Sequence, residues 1–223
     1  MKKSMIALML ALVMLLAGCA VHATGMDGSS FTDVQEDAFY FDAVNWAVEN
    51  DITQGMGGGL FQPDGICNRA QAVTFLWRLE GKPVCSGESA FSDVQNGSWY
   101  ADAVAWAVSR NITNGMGGDI FAPNSTCNRA QIVTFLWRYA GMPDANGDNP
   151  FNDVPDGKWY AEAVAWAVEK GITKGLTETT FGPDEPCNRS QIVTFLHRYA
   201  ISVAEPPAPE PSVPDWEMGD EDL

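Results

Sequence analysis

The sequence predicts a mainly α fold built from three tandem copies of one helix-loop-helix unit. Phe31-Thr32-Asp33-Val34 recurs as Phe91-Ser92-Asp93-Val94 and again as Phe151-Asn152-Asp153-Val154, each copy 60 residues after the last. The register then holds without a gap through Trp46, Trp106 and Trp166, through Pro63, Pro123 and Pro183, and through Cys67-Asn68-Arg69, Cys127-Asn128-Arg129 and Cys187-Asn188-Arg189. Within each copy, apolar residues fall at helical spacing on both sides of a loop. Units of this size bury too little alone, so the three are expected to pack on one another.

Taken in order, the first residues stand outside the fold. Lys2 and Lys3 precede an apolar run from Met5 to Leu16, shorter than the roughly 20 residues of a membrane span and suited to an export signal. Leu16-Ala17-Gly18-Cys19 resembles a bacterial lipobox. That resemblance implies removal of residues 1–18, lipidation of Cys19 and a linker over 19–30; cleavage near Ala20 or Ala23 of an ordinary signal is the alternative. Two acyl chains give the stable anchoring that one chain does not.

The units are placed at 31–85, 86–145 and 146–203. In the second, Trp99-Tyr100 leads into Ala103, Val104, Ala107 and Val108, the i, i+4 pattern of a buried helical face. Asn111 and Gly115, Gly117 and Gly118 end that helix, and Phe121-Ala122-Pro123 reads as a short extended segment. Asn128 is an N-cap with Gln131 three residues on, a capping-box pattern. Ile132, Phe135, Leu136 and Tyr139 follow on one face until Gly141 and Pro143 stop the helix. Residues 204–223 are acidic and Pro-rich and read as a disordered tail.

Charge narrows the function. A formal net charge of −16 argues against nucleic acid as a partner, since phosphate contacts need clustered Lys and Arg. Of the 13 basic residues, six occupy two repeated positions: Arg69, Arg129 and Arg189, and Arg78, Arg138 and Arg198. The first set falls just after the Asn cap, where a cation faces the positive helix end at a cost of roughly 0.3–1 kcal/mol. An anionic ligand on the free backbone N–H groups would offset that cost; so would a carboxylate from a neighbouring unit. The second set reads as packed or snorkelling arginine.

These motifs resemble the S-layer homology repeat: Phe-x-Asp-Val, Trp-Tyr-x-x-Ala-Val-x-Trp-Ala, Ile-Thr-x-Gly, Phe-x-Pro and a helix-start motif. The last stands here as Asn68-Arg69-Ala70-Gln71, Asn128-Arg129-Ala130-Gln131 and Asn188-Arg189-Ser190-Gln191. The likeness spans about residues 31–200. It implies a pseudo-threefold arrangement with grooves between units that bind an anionic, often pyruvylated, secondary cell-wall polysaccharide. Carried over, the glycan-binding candidates are Arg69, Arg129 and Arg189, with Gly55, Gly115 and Gly175. Trp46, Trp106 and Trp166 are candidates for stacking on sugar faces, although Trp at helical spacing also suits a core. Two departures stand out. Asn and Gln replace the Thr and Glu of the family's helix-start motif in every copy, and the third loop, Leu176-Thr177-Glu178-Thr179, lacks the Gly-Gly of Met56-Gly57-Gly58 and Met116-Gly117-Gly118.

The expected function is therefore non-covalent cell-wall anchoring by an exported surface lipoprotein. The alternative is an envelope protein-protein interaction scaffold built on the same repeats. Cys67, Cys127 and Cys187 read as buried free thiols, with a disulfide to Cys85 as the other option; no CxxC or His partner supports a metal site. Asp33, Asp93 and Asp153 read as helix caps, and Asp144, Asn146 and Asp148 make an incomplete calcium-loop pattern. With only His22 and His197 and no nucleophile or phosphate-loop motif, neither an enzyme nor a cofactor is expected.

Overall fold

The structure, a computed structural model, describes residues 31–85 and 91–204; the stretch read from sequence as an export signal, Cys19, His22 and residues 205–223 lie outside them. The described residues form six α-helices and no named strand: α1 Phe41–Glu49, α2 Arg69–Leu79, α3 Ala101–Ser109, α4 Arg129–Tyr139, α5 Ala161–Glu169 and α6 Arg189–Ala204. The helix α6 thus includes Ala204, assigned above to the tail.

Each helix starts and stops for local reasons. The Asn68 and Asn128 side chains accept from the Gln71 and Gln131 backbone N–H groups while the Gln side chains return to the Asn N–H, completing both capping boxes. The same reciprocal pair forms between Asn188 and Gln191. The first helix of each unit ends in a left-handed residue, Asp51, Asn111 or Gly171, with φ of 56°, 57° and 67°. Asn tolerates that region and Gly adopts it freely. Phe121-Ala122-Pro123 is not extended throughout, because Ala122 has φ of 59°. The Asp93 carboxylate makes this bend possible, accepting from the Phe121 and Ala122 N–H groups at 2.8 and 2.7 Å. Asp33 and Asp153 clamp Phe61-Gln62 and Phe181-Gly182 in the same way. These carboxylates are loop clamps rather than the helix caps expected from sequence.

The packing interleaves the three repeats. The two helices of one repeat do not lie side by side. Instead α2 packs on α3, α4 on α5, and α6 closes onto α1. Each prong therefore pairs the second helix of one repeat with the first helix of the next, and α2, α4 and α6 meet in the middle. The exchange is knitted by backbone. Cys67 N donates to Cys187 O, Cys127 N to Cys67 O and Cys187 N to Cys127 O, at 3.0, 2.9 and 2.9 Å. A closed triangle of hydrogen bonds of this kind requires a pseudo-threefold axis. Ala70, Ala130 and Ser190 N donate likewise to Pro123, Pro183 and Pro63 O.

Around the axis, Val44, Val73, Leu76, Val104, Ile132, Leu136, Val164 and Leu196 are among the fully buried residues of one continuous core. Cys67, Cys127 and Cys187 are buried free thiols, and Cys85 is also free. Burial pushes the thiols of Cys67 and Cys127 up to about 12, and that of Cys187 well above its usual range. They are held as inert packing groups.

Candidate functional site: the grooves between repeats

A groove of about 200 Å³ opens where all three repeats meet around the first. Buried Arg189, from the start of α6, lies at its base with Phe75 and Thr53. Gly55 and Met56 of the first loop line it, as do Gln71 and Arg78 of α2. Trp99, 60% exposed, stands at the edge. By the 60-residue register, Arg69, Gly115, Gln131, Arg138 and Trp159 are the counterparts of these residues in the second repeat junction, and Arg129, Gly175, Gln191, Arg198 and Phe39 those in the third.

The repeated arginines bridge neighbouring repeats. Arg69, only 2% exposed, donates Nε–H to Phe121 O at 2.8 Å, and its guanidinium lies 4.8 Å from the Phe121 ring and 5.4 Å from that of Phe135. Arg129 does the same to Phe181 and Phe195, and Arg189 to Phe61 and Phe75. A carbonyl dipole and two aromatic faces therefore offset the cost of a cation at these helix starts. No ion pair among the described residues uses these arginines, so the carboxylate route offered by the sequence is not the one the fold takes. Burial is the largest influence on all three and lowers their pKa.

One edge of each guanidinium is different. Arg189 Nη2 reaches Thr53 Oγ1 at 3.4 Å, whereas Nη2 of Arg69 and of Arg129 is buried with no hydrogen-bond partner. A buried charged donor left without an acceptor is costly, and burial also closes these two atoms to solvent.

The candidate glycines are needed by the backbone first. Gly55, Gly115 and Gly175 have φ of 77°, 79° and 79°. A Cβ at any of them would collide with the Phe31, Phe91 or Phe151 ring and with the carbonyl of Leu60, Ile120 or Thr180. They let the loop fold tightly over the groove wall. The third loop closes without Gly-Gly: Leu176 N donates to Thr180 O at 2.7 Å, as Met56 N does to Leu60 O.

The tryptophans divide. Trp106 and Trp166 are buried, at 1% and 2% exposure, against Tyr139 and Tyr199. No sugar face can reach them, which corrects the stacking assignment at those two positions. Trp46 is half-buried and stacks on His197 with ring centroids 5.0 Å apart. The aromatic positions presented to solvent are instead Phe39, Trp99 and Trp159. Sequence reasoning treated Trp99 as a lead-in to α3; the signal available was a repeated aromatic one residue outside the helical periodicity.

Arg78, Arg138 and Arg198 each donate to the carbonyl of Ile52, Ile112 or Ile172 at 3.2 Å. They are packed, as read from sequence, but Arg78 also lines the groove. Among the described residues no group of His, Cys, Asp or Glu is placed to hold a metal ion, and no helix is long and apolar enough to cross a membrane.

Comparison with known proteins gives this arrangement a family. The S-layer homology domain matches at residues 30–73, 90–133 and 150–193. The chain belongs to the S-layer homology domain family. Its relatives include an S-layer protein of Bacillus thuringiensis subsp. finitimus, 27% identical over 76% of this chain and 21% of the relative. A cellulosome-anchoring protein of Acetivibrio thermocellus is 27% identical over 65% of this chain and 34% of the relative. An endo-1,4-beta-xylanase A of Thermoanaerobacterium saccharolyticum is 34% identical over 44% of this chain and 8% of the relative. The chain thus spans about a third of the cellulosome-anchoring protein and less of the other two, and the three S-layer homology repeats fall one in each of the three units described above.

Proposed function

We propose that the three repeats anchor the chain to the cell wall by binding the acidic substituent of a secondary wall polysaccharide, a pyruvyl ketal for example, in the inter-repeat grooves. The observation that carries this reading is the groove itself: Arg189 and Arg78 line it, no carboxylate does, and an exposed Trp99 stands beside them. The names of an S-layer protein and a cellulosome-anchoring protein among the relatives support it. The groove is small against the ~300–1,000 Å³ of pockets that enclose drug-sized ligands, which suits one terminal sugar of a polymer. Arg69, Arg129 and Arg189 supply positive charge beneath the groove floor, Gly55, Gly115 and Gly175 act by bringing the loop close, and the exposed aromatics by covering a sugar face. Lipidation at Cys19 places the protein on the outer face of the cytoplasmic membrane, so that it ties membrane to wall; catalysis has no part in this role.

The test is sedimentation with wall sacculi of the producing organism, native or stripped of acidic substituents by mild acid. Binding is expected to fall with salt, to disappear on stripped sacculi, and to drop at least about tenfold in a Phe39→Ala, Trp99→Ala, Trp159→Ala variant, whose exposed sites leave the core intact. Undiminished binding to stripped sacculi overturns the glycan reading in favour of a protein partner.

A further inference from the structure

Each loop that follows an Ile-Thr pair places one large apolar side chain directly after the candidate glycine: Met56, Met116 and Leu176. The backbone pins all three in the same way, with Met56 N donating to Leu60 O, Met116 N to Ile120 O and Leu176 N to Thr180 O at 2.7, 2.8 and 2.7 Å. The side chains stay open to water, at 48%, 56% and 49% exposure. An exposed thioether on a fixed backbone is the form of methionine that oxidants reach most readily. The third loop carries no sulfur at this place.

Position gives that reactivity a consequence. Met56 lines the groove together with Gln71, Arg78 and Arg189. In the second repeat the equivalent sulfur already lies against a donor, with Gln131 Nε2 3.7 Å from Met116 Sδ. A thioether is a weak acceptor. A sulfoxide oxygen is polar and carries partial negative charge, so it takes up neighbouring N–H groups and opposes an anion held by the same arginines. By contrast, burial and the raised pKa that comes with it keep Cys67, Cys127 and Cys187 as unreactive thiols. Met142, 52% exposed, lies past the end of α4 and outside the three loops.

We infer that Met56 and Met116 are oxidation sites through which a peroxide weakens the hold of the grooves on acidic glycan: sulfoxides form in two of the three loops, and Leu176 leaves the third unchanged. The weakening rests on the glycan reading above; the modification itself does not. In the reaction a sulfur lone pair attacks one peroxide oxygen, and the O–O bond breaks as the S–O bond forms. The departing hydroxide takes the proton of the transferred hydroxyl and leaves as water. The thioether loses two electrons and the peroxide gains them.

The test compares wild type with a Met56→Leu, Met116→Leu variant, which installs at two loops the residue that the third holds natively. Both proteins are treated with dilute hydrogen peroxide, sulfoxides are located by peptide mass mapping, and thermal unfolding is recorded for each. Sedimentation with native sacculi is then set against each protein's own untreated sample. Wild type is expected to gain one oxygen at Met56 and one at Met116. Its binding is expected to fall by at least about threefold, the worth of a weak hydrogen bond, and to recover after treatment with a methionine sulfoxide reductase and a thiol reductant. The variant keeps Cys85 and Met142, and its ratio of treated to untreated binding is expected to stay near unity. An equal loss in the variant, a loss in wild type that reduction does not reverse, or undiminished binding by wild type oxidised at both positions overturns the inference. So does a mass map that shows Met142 oxidised and Met56 and Met116 intact. Failure of untreated wild type to sediment removes the glycan reading, and the weakening with it, while the mass map still decides the modification.

Discussion

The three prongs are built alike but joined differently. In two of them, α2–α3 and α4–α5, the helices are neighbours along the chain. The third, α6–α1, closes the ring between the last repeat and the first without a covalent link. At the two sequential prongs, Trp77 and Trp137 donate their indole N–H to Pro83 O and Pro143 O, tying the helix end to the outgoing chain. At the closing prong His197 takes that position, stacks on Trp46, and α6 continues to Ala204 instead of turning. The lower side differs too. Tyr139 and Tyr199 meet each other and lie over Trp106 and Trp166, and Tyr139 donates to Glu80 at 2.6 Å. Leu79 occupies the equivalent place in the first repeat, and of Trp46, Trp106 and Trp166 it is Trp46 that is left half-buried. All three joints share the arginine bridge; the sequential ones add covalent continuity and hydrogen-bonded indoles, the closing one the stacking of His197 on Trp46.

Closure is the property most easily broken. If each repeat supports only its neighbours as in an open solenoid, removing one leaves the others folded. In this ring, removal of residues 146–204 strips Phe181 and Phe195 from Arg129 and opens the cysteine triangle. The truncated protein is expected to lose its cooperative thermal transition altogether, as read by circular dichroism; a sharp transition in the two-repeat fragment would show the closing joint to be dispensable. The next largest effect belongs to Arg189→Ala, which leaves the buried Phe61 carbonyl without its donor and a void between two rings. A loss of about 3–5 kcal/mol in denaturant unfolding is expected. For that reason alanine variants of the bridge arginines report on folding before they report on glycan. Arg189→Ala costing less than about 1 kcal/mol would mean the bridge is not what holds the closing joint.

Much of this was legible in sequence, and what was not has a common cause. The repeat register, the Asn-Gln capping boxes and the left-handed Asn111 are local events, decided within a few residues by side chains such as Asn68 and Gln71 reaching their own backbone. The partner of Arg69 is 52 residues away at Phe121, and that of Arg189 is 128 residues away at Phe61. No pattern within one repeat shows that a cation will lie between two phenylalanines of the next. The same blindness misplaced the tryptophans: Trp106 and Trp99 are seven residues apart, about two helical turns, and only the swapped packing decides which is core and which is rim. Asp33 looked like a cap because caps are local, yet its acceptor role falls on a loop 28 residues on.

The closing joint should also respond to acid in a way the others do not. Burial lowers the His197 pKa, with Asp42 raising it and Arg198 lowering it by lesser amounts. A histidine held below its unfolded value of about 6.5 contributes stability that is present above that pH. As pH falls from there, the unfolded chain takes up the proton first, and the contribution is lost through the folded pKa. The thermal midpoint of wild type is therefore expected to fall further between pH 7.5 and 5.5 than that of His197→Gln. Parallel shifts in both proteins would place the acid sensitivity elsewhere, among groups shared by all three prongs.

The smallest expected effect compares the three bends that the Asp clamps hold. Gln62 and Ala122 sit at φ of 58° and 59°, in a region where a side chain costs of order 1–2 kcal/mol, while the third repeat places Gly182 there at 71°. The sequence has relieved the strain once and tolerated it twice. Ala122→Gly removes the strain but widens the unfolded ensemble by roughly 0.5–1 kcal/mol, so a net gain of a few tenths to about 1 kcal/mol is expected from denaturant unfolding. The reverse exchange is not symmetric. A Cβ at Gly182 would lie 2.5 Å from Leu176 Cδ1 and 3.1 Å from Glu185 Cγ, so Gly182→Ala adds a steric clash to the backbone strain and should lose more than Ala122→Gly gains. Equal and opposite changes would mean that Leu176, exposed and free to swing aside, absorbs the contact and that the three bends differ in backbone strain alone.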